Sequence, residues 1–216
     1  MTSPALDVDG LLFDLDGTLV DTIGLIVASY QYAFRSVLAQ EVAEDRARAW
    51  IGRPLLAALL EESPEHGHEL DRVYREWNLA NTARLIRPYA GVQDLLEGLA
   101  TGARPFAVVT SKRRETAALA LRSVGLDGLI DVAVGLEDTS LHKPDPAPLL
   151  LGAQRLGIRP QRCAYVGDAT VDLLAARAAG MACVAVTWGA GARDELVALA
   201  PDRVADSVGQ LAAYLS

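Results

Sequence analysis

Five short apolar runs divide the chain and limit the folds open to it. They cover residues 8–13, 106–110, 130–134, 163–166 and 181–186, and they are largely β-branched. Runs of this length and composition are typical of strands that are buried on both faces of a parallel sheet. The sequence therefore predicts a sheet whose strands are mostly shielded from water.

Segments of helical pattern separate most of these strands. They cover residues 92–100, 115–124, 145–156 and 170–179. Gly125, Gly157 and Gly180 follow three of them, at the position after a helix end where glycine is favoured. The alternation of short strands and helices predicts an α/β fold with a doubly wound parallel sheet.

The segment 22–86 interrupts the alternation, because it carries helical spacing and no strand signal. One of its apolar stripes is Ile26, Tyr30, Phe34 and Val37. We predict an inserted α-helical domain over residues 22–86, and a core made of residues 1–21 and 87–216. The hinges would then lie near Asp21 and near Arg87.

The charge of the chain bears on its partners. Its 216 residues include 20 Lys and Arg against 28 Asp and Glu, which gives a formal net charge of −8. Such a protein repels phosphate backbones on average, so we expect no nucleic-acid partner. A small anionic substrate would need a local cation, either a metal ion or a well-placed Lys or Arg.

The sequence also favours a protein of the cytoplasm. No apolar run approaches the roughly 18 residues of a membrane span, so we expect no membrane partner. The first residues carry neither a basic segment nor a long apolar segment of the kind found in secretory signals.

Two carboxylates follow the first predicted strand. Asp14 and Asp16 are spaced by two, so their side chains would lie on the same side of an extended chain. Carboxylates this close repel each other unless a cation or a proton lies between them. Gly17 lets the backbone turn toward a ligand. The plain alternative is a surface turn, which Asp-x-Asp-Gly often forms.

Three further polar clusters lie near other strand ends. Thr110 and Ser111 suit a phosphate oxygen, although ordinary helix capping is the simpler explanation. Lys143 lies in a loop stiffened by two prolines, and a solvated lysine is the alternative there. Asp168 and Asp172 offer the oxygen ligands that Mg²⁺ prefers, unless they only cap the helix that follows.

Taken together, these clusters resemble the motifs of the haloacid dehalogenase superfamily of aspartate-nucleophile phosphohydrolases. Asp14-Leu15-Asp16-Gly17-Thr18 is similar to the first motif and Thr110 to the second. Lys143 is similar to the third, and Gly167-Asp168-x-x-x-Asp172 to the fourth. The resemblance covers residues 11 to about 191, and it implies a Rossmann-like core with a helical cap inserted after the first motif.

The resemblance also implies roles for these residues. Asp14 would attack phosphorus and Asp16 would be the general acid and base. Mg²⁺ would be held by Asp14, the backbone carbonyl of Asp16 and Asp168, with Asp172 as a ligand or as a partner of bound water. Thr110 and Lys143 would hold the phosphoryl oxygens, with Gly17 and Ser111 beside them.

The substrate is less constrained than the reaction. The sequence is similar to phosphoglycolate phosphatases, which implies a small phosphate monoester, while residues 108–116 are similar to pyrophosphatases of the same family. Ile26 stands where a sugar-phosphate mutase would carry a cap histidine, which disfavours a mutase. Asp16 argues against a true dehalogenase. A phosphate-binding module without catalysis remains an alternative. Such a module would be expected to lack some of the motif residues, and this chain lacks none of them.

Cationic side chains near these motifs suggest where a substrate would bind. Arg53 would meet a carboxylate or second phosphate from the cap, and a solvated arginine is an equal alternative. Among Lys112, Arg113 and Arg114, we expect at least two to form a plain exposed surface. The expected partner is a small phosphorylated metabolite, and the expected assembly is a monomer or weak homodimer.

Overall fold

The computed structural model describes residues 5–216. Residues 1–4 belong to the predicted 1–21 segment and lie outside the described residues. The strands are β1 (Gly10–Phe13), β2 (Val20–Asp21), β3 (Arg87–Pro88), β4 (Phe106–Val109), β5 (Val132–Val134), β6 (Cys163–Gly167), β7 (Ala182–Val186) and β8 (Arg203–Ala205). The helices are α1 (Ile23–Leu38), α2 (Glu44–Arg48), α3 (Leu55–Glu62), α4 (Gly67–Leu85), α5 (Val92–Ala100), α6 (Arg114–Ser123), α7 (Ala147–Leu156), α8 (Thr170–Ala178), α9 (Arg193–Ala198) and α10 (Val208–Leu215).

Six strands form one parallel sheet in the order β5-β4-β1-β6-β7-β8. The strand that comes first in the chain lies in the middle, and the later strands extend first to one side of it and then to the other. The order therefore reverses between β1 and β6, and ligands bind beyond the carboxyl ends of the strands at such a point. The predicted doubly wound α/β fold is confirmed.

Both faces of the sheet are covered, which explains the continuous apolar runs of its strands. Leu11 and Phe13 of β1 pack into one apolar cluster with α5, α6 and α10. Leu12, whose side chain points the other way, packs into a second cluster with α7, α8 and α9. The central strand is thus fully buried, and its carboxyl end projects toward the site.

Several predicted boundaries were wrong by one or two residues. β1 begins at Gly10 rather than residue 8, and β4 ends at Val109 rather than at Thr110. β5 begins at Val132, because the amide of Ile130 still donates to Leu126 O in the turn after α6. β8 was missed, since its three residues are too few to show a pattern.

Helices α1–α4 and the loops between them, called the cap below, pack around an apolar cluster of their own. The rings of Trp50 and Tyr74 each lie 4.8 Å from that of Tyr30. The chain leaves and re-enters the core through the antiparallel pair β2 and β3, in which Asp21 faces Arg87. The limits 21/22 and 86/87 remain a prediction as domain boundaries. Within residues 5–216, no helix combines the length and apolar character needed to cross a membrane.

Candidate active site

Three buried aspartates meet beyond the carboxyl ends of β1 and β6. Asp14 directly follows β1, and its amide donates to Val166 O of the neighbouring strand at 2.9 Å. Asp168 directly follows β6, and Asp172 lies in the first turn of α8. Carboxylate oxygens of Asp14, Asp168 and Asp172 lie within 4.8 Å of one another. The structure thus brings together the predicted first and fourth motifs.

Lys143 is buried among these carboxylates. Its Nζ lies 2.6 Å from Asp172 Oδ1 and 3.2 Å from Asp14 Oδ1, and it also donates to the Tyr165 hydroxyl at 3.0 Å. Burial by itself would lower the pKa of Lys143. The charges of Asp14 and Asp172 outweigh burial and hold that pKa well above its ordinary value, so the lysine stays cationic.

Asp14 combines deep burial with an unfilled acceptor. Burial raises the pKa of Asp14 to about 7, with Asp172 and Asp16 adding to the rise and Lys143 opposing it. Asp14 Oδ1 is fully buried and accepts no hydrogen bond from residues 5–216, because its ion pair with Lys143 lacks hydrogen-bond geometry. A buried carboxylate in this condition fits contact with a cation.

Asp168 is held in place on both of its oxygens. Thr18 Oγ1 donates to Oδ1 at 2.8 Å, and the amide of Ala190 donates to Oδ2 at 2.7 Å. Burial raises the pKa of Asp168 well above its ordinary value. A Cβ on Gly17 would lie 2.2 Å from Asp168 Oδ2, and one on Gly189 would lie 2.1 Å from it, so both positions require glycine.

Asp172 is engaged by the protein on both oxygens as well. Oδ1 accepts from Lys143, and Oδ2 accepts from the amide of Ala169 at 3.0 Å. These contacts fit a residue that orients Lys143 and the start of α8. The three buried carboxylates and the single lysine beside them leave an excess of negative charge, which fits a divalent cation of the kind that prefers oxygen ligands.

A second lysine pairs with the second aspartate of the first motif. Lys112 Nζ lies 2.9 and 3.0 Å from the two oxygens of Asp16, and the side chains are only 12% and 15% exposed. Arg113 and Arg114 are exposed, as expected of at least two residues in this run. Lys112 was missed as a partner of Asp16, and its only signal was its place two residues after Thr110.

Thr110 and Ser111 lie between β4 and α6. Thr110 is buried, and its amide donates to Val134 O at 3.0 Å. The Ser111 hydroxyl donates to Gly52 O of the cap at 3.0 Å. Neither residue caps α6, which begins at Arg114. Their role as phosphate ligands stays a prediction.

A cavity of about 230 Å³ connects the site to the cap. Its floor includes Asp14, Asp16 and Thr110, and Arg53 lies in its wall. Arg53 forms an ion pair with Glu61 on α3 and remains 35% exposed. Further cap residues in the wall are Ile26, Tyr30, Trp50, Tyr74 and Asn78.

Some residues that hold the site had no clear signal in the sequence. The Tyr165 hydroxyl links Lys143 to Val109 O, to which it donates at 2.9 Å. Trp188 Nε1 donates to Thr18 O at 3.1 Å, which ties the loop after β7 to the first motif. The contacts of Tyr165 with Val109 and of Trp188 with Thr18 join positions 56 and 170 residues apart, so no local pattern predicts them.

Two relatives of known name are similar to this chain over nearly its whole length. A relative from Halalkalibacterium halodurans named pyrophosphatase PpaX is 34% identical over 95% of this chain and 96% of its own length. The protein of that name from Bacillus velezensis is 32% identical over 94% of each chain.

Solved structures show the same fold. A haloacid dehalogenase-like family hydrolase from Streptococcus pneumoniae superimposes with a TM-score of 0.86, 26% identity and coverage of 97% of this chain and 99% of its own. A protein described as a predicted phosphoglycolate phosphatase from Haemophilus somnus superimposes with a TM-score of 0.85 and 26% identity, and the match covers 95% of this chain and 97% of its own. The family model for haloacid dehalogenase-like hydrolases matches residues 11–186. The chain belongs to the haloacid dehalogenase-like hydrolase family.

Proposed function

We propose that this chain is a Mg²⁺-dependent phosphatase that hydrolyses a small phosphorylated compound through a phosphate ester on Asp14. The observation that carries the proposal is the position of Asp14. Its carboxylate lies at the floor of the cavity, beside Lys143 and next to two further buried carboxylates. A nucleophile held beside a fixed cation suits phosphoryl transfer, which depends on positioning and charge neutralisation.

The buried acidic cluster supports a bound Mg²⁺. Asp14 and Asp168 would contribute carboxylate oxygens, Asp16 its backbone carbonyl, and Asp172 a contact to the ion or to its water. The ion would supply positive charge that offsets the repulsion between the aspartates and an anionic substrate. Burial raises the pKa values of Asp14 and Asp168, and positive charge from the ion would oppose that rise.

The reaction would proceed in two displacements at phosphorus. An oxygen of Asp14 forms a bond to phosphorus while the bond to the leaving oxygen breaks, and Asp16 gives that oxygen a proton. Water then attacks the aspartyl-phosphate, Asp16 takes the proton of the water, and the Asp14–phosphorus bond breaks. Lys143 holds the phosphoryl oxygens throughout, and both aspartates return to their starting states.

Two substrate classes are supported by different observations. A monoester such as phosphoglycolate is supported by Arg53, which lines the cavity and carries a guanidinium of the kind that suits a carboxylate. Pyrophosphate is supported by the names of the relatives from Halalkalibacterium halodurans and Bacillus velezensis. Ile26 gives the cavity an apolar wall where a mutase would need a proton donor.

Phosphate release tests the proposed reaction. The chain is incubated with phosphoglycolate, pyrophosphate and sugar phosphates, each with Mg²⁺ and with a chelator. We expect release that requires Mg²⁺ and that is lost in Asp14→Asn. Asp94→Asn, which changes an exposed aspartate of α5, should retain wild-type activity. Release that persists in Asp14→Asn would contradict the assignment of the nucleophile.

The role of Arg53 is tested by comparing two monoesters. Arg53→Ala should weaken hydrolysis of phosphoglycolate and spare that of an uncharged aryl phosphate, because only the first substrate carries a carboxylate. Equal losses with both monoesters would argue against carboxylate recognition by Arg53.

A further inference from the structure

The two aspartates of the first motif each have a lysine partner, and the two lysines differ in their surroundings. Lys143 is buried and pairs with Asp14 and Asp172. Lys112 instead lines the cavity, as does its partner Asp16. Lys112 and Asp16 thus face the cavity, whereas Lys143 contacts Asp14 and Asp172 outside the cavity lining.

Lys112 is held rather than mobile. Its amide donates to Thr110 Oγ1 at 3.2 Å, and its carbonyl accepts from the amide of Leu136 at 2.9 Å. The neighbouring Ser111 is fixed to Gly52 of the cap. The ammonium meets both oxygens of Asp16 in a mostly buried pair, which is unlike a solvated surface bridge.

The position of Lys112 beside Asp16 is important because Asp16 is the proposed general acid. The inference therefore rests on the proposed function. If Asp16 reaches the leaving oxygen, then that oxygen lies one hydrogen bond from a carboxylate that Lys112 already contacts at 2.9 and 3.0 Å. The Lys112 ammonium therefore lies beside the leaving group. A fixed positive charge there lowers the energy of negative charge that develops on the leaving oxygen.

We infer that Lys112 is a catalytic residue that selects substrates whose leaving group departs as an anion, with pyrophosphate as the simplest example. When the phosphorus–oxygen bond to the departing phosphate breaks, the bonding electron pair stays on that phosphate, and Lys112 stabilises the added charge. With this substrate Asp16 begins without a proton, takes the proton of the attacking water in the second displacement and passes it to a departing phosphate. An alcohol departs neutral after it takes the proton of Asp16, and it gains little from the ammonium.

A competing explanation is that Lys112 only adds to the general positive charge near the cavity. Arg113 provides the matched control, because it is the next residue, is exposed and also lines the cavity. Its side chain makes no hydrogen bond or ion pair with Asp16 in the described structure. Loss of general attraction would affect Lys112 and Arg113 variants alike, whereas a contact with the leaving group would affect only Lys112.

The test measures kcat and KM for pyrophosphate and for glycerol phosphate in five proteins. They are the wild type, Lys112→Met, Lys112→Gln, Lys112→Arg and Arg113→Met. We expect both neutral Lys112 variants to lose about a hundredfold in kcat for pyrophosphate and only a few-fold for glycerol phosphate. Lys112→Arg should recover most of the loss, and Arg113→Met should show at most a small loss that is the same for both substrates. Lys112→Gln retains a hydrogen-bond donor for Asp16, so it provides a second neutral variant for the test if Lys112→Met fails to fold.

Each other outcome overturns a defined part of the account. Equal losses on the two substrates, or equal losses in the Lys112→Gln and Arg113→Met proteins, overturn the inference and leave the proposed phosphatase intact. The inference is also overturned, and the proposed phosphatase kept, if the wild type hydrolyses glycerol phosphate but not pyrophosphate. If the wild type hydrolyses only pyrophosphate, the inference is tested by kcat for that substrate. A larger loss in Lys112→Gln than in Arg113→Met supports it, and equal losses overturn it. A wild type that releases phosphate from no compound contradicts the proposed function itself.

Discussion

Lys143 Nζ lies 3.2 Å from Asp14 Oδ1, and neither side chain is more than 4% exposed. Both groups lie beyond the central strand of a parallel sheet, where the strand order reverses. A carboxylate is costly to bury without a partner, and this lysine offsets part of that cost. The pair explains how a nucleophile remains at the floor of a cavity whose surroundings favour its protonated form.

Gly17→Ala should abolish activity and metal binding. The residue has φ of +80°, and a Cβ would lie 2.2 Å from Asp168 Oδ2, so the carboxylate must move. Gly125→Ala is the matched control, since Gly125 has φ of +75° and open space around the Cβ position. Both variants should lose about 1–2 kcal/mol of unfolding free energy from backbone strain. Phosphate release and Mg²⁺ titration should separate them, and an active Gly17→Ala protein would contradict the packing argument.

Tyr165→Phe should reduce turnover by leaving Lys143 less firmly held. The hydroxyl accepts from Lys143 at 3.0 Å and donates to Val109 O at 2.9 Å. We expect a loss of about 1–2 kcal/mol in stability and about tenfold in kcat/KM. Tyr214→Phe removes a similar bond to Val204 O, far from the site, and should leave kcat/KM unchanged. Equal kinetic effects in the two variants would show that Tyr165 does not act on Lys143.

The stabilising effect of Mg²⁺ should grow with pH. Burial raises the pKa of Asp14 to about 7 and that of Asp168 well above its ordinary value. Without metal, the folded state holds more protons than the unfolded chain between about pH 4 and 7, so its stability falls as pH rises there. Mg²⁺ needs the ionised carboxylates, so its increment in melting temperature should be larger at about pH 8 than at about pH 5.5. A larger increment at the lower pH would contradict the proposed ligands.

Asp138 should stabilise the edge of the sheet at neutral pH. Partial burial would raise its pKa, but hydrogen bonds from Arg155, Gly135 and Arg114 outweigh burial and lower that pKa to about 2. The two guanidinium groups also donate to carbonyls of the edge strand β5, including Ala133 O.

The Asp138 contribution should therefore depend on pH in a defined way. Because the folded pKa is lowered, the stabilisation is complete above about pH 4 and is lost as pH falls through about 2. Asp138→Asn should lower the unfolding free energy by about 1–2 kcal/mol at neutral pH and by less in acid. Urea unfolding measures this difference. Asp127→Asn, at an exposed position, is the control, and an effect of Asp138→Asn that does not depend on pH would contradict the assignment.

The strands and the first and fourth motifs could be predicted because they depend on local patterns. A buried parallel strand needs a continuous apolar run, and parallel strands bring their carboxyl ends to one edge. Asp14 and Asp168 therefore lie close together as a consequence of the fold class. Lys143 could be proposed from its stiff loop, although only the structure shows it between Asp14 and Asp172.

The contacts that tune the site could not be predicted from the sequence. The pair of Lys112 and Asp16 joins positions 96 residues apart, and it depends on how the loop after β4 turns over the sheet edge. β8 is stabilised by its neighbour β7 rather than by its own short sequence. Arg53 could be assigned to the cap, but its ion pair with Glu61 depends on how α3 begins.

Borohydride trapping during turnover tests the covalent role of Asp14 most directly. An aspartyl-phosphate is reduced to homoserine, and mass spectrometry of the peptide that contains position 14 detects the change. The account predicts this product only when Mg²⁺ and a substrate are both present, and its absence in Asp14→Asn. An active enzyme whose position 14 stays unmodified, or whose modification maps to another residue, would contradict the account.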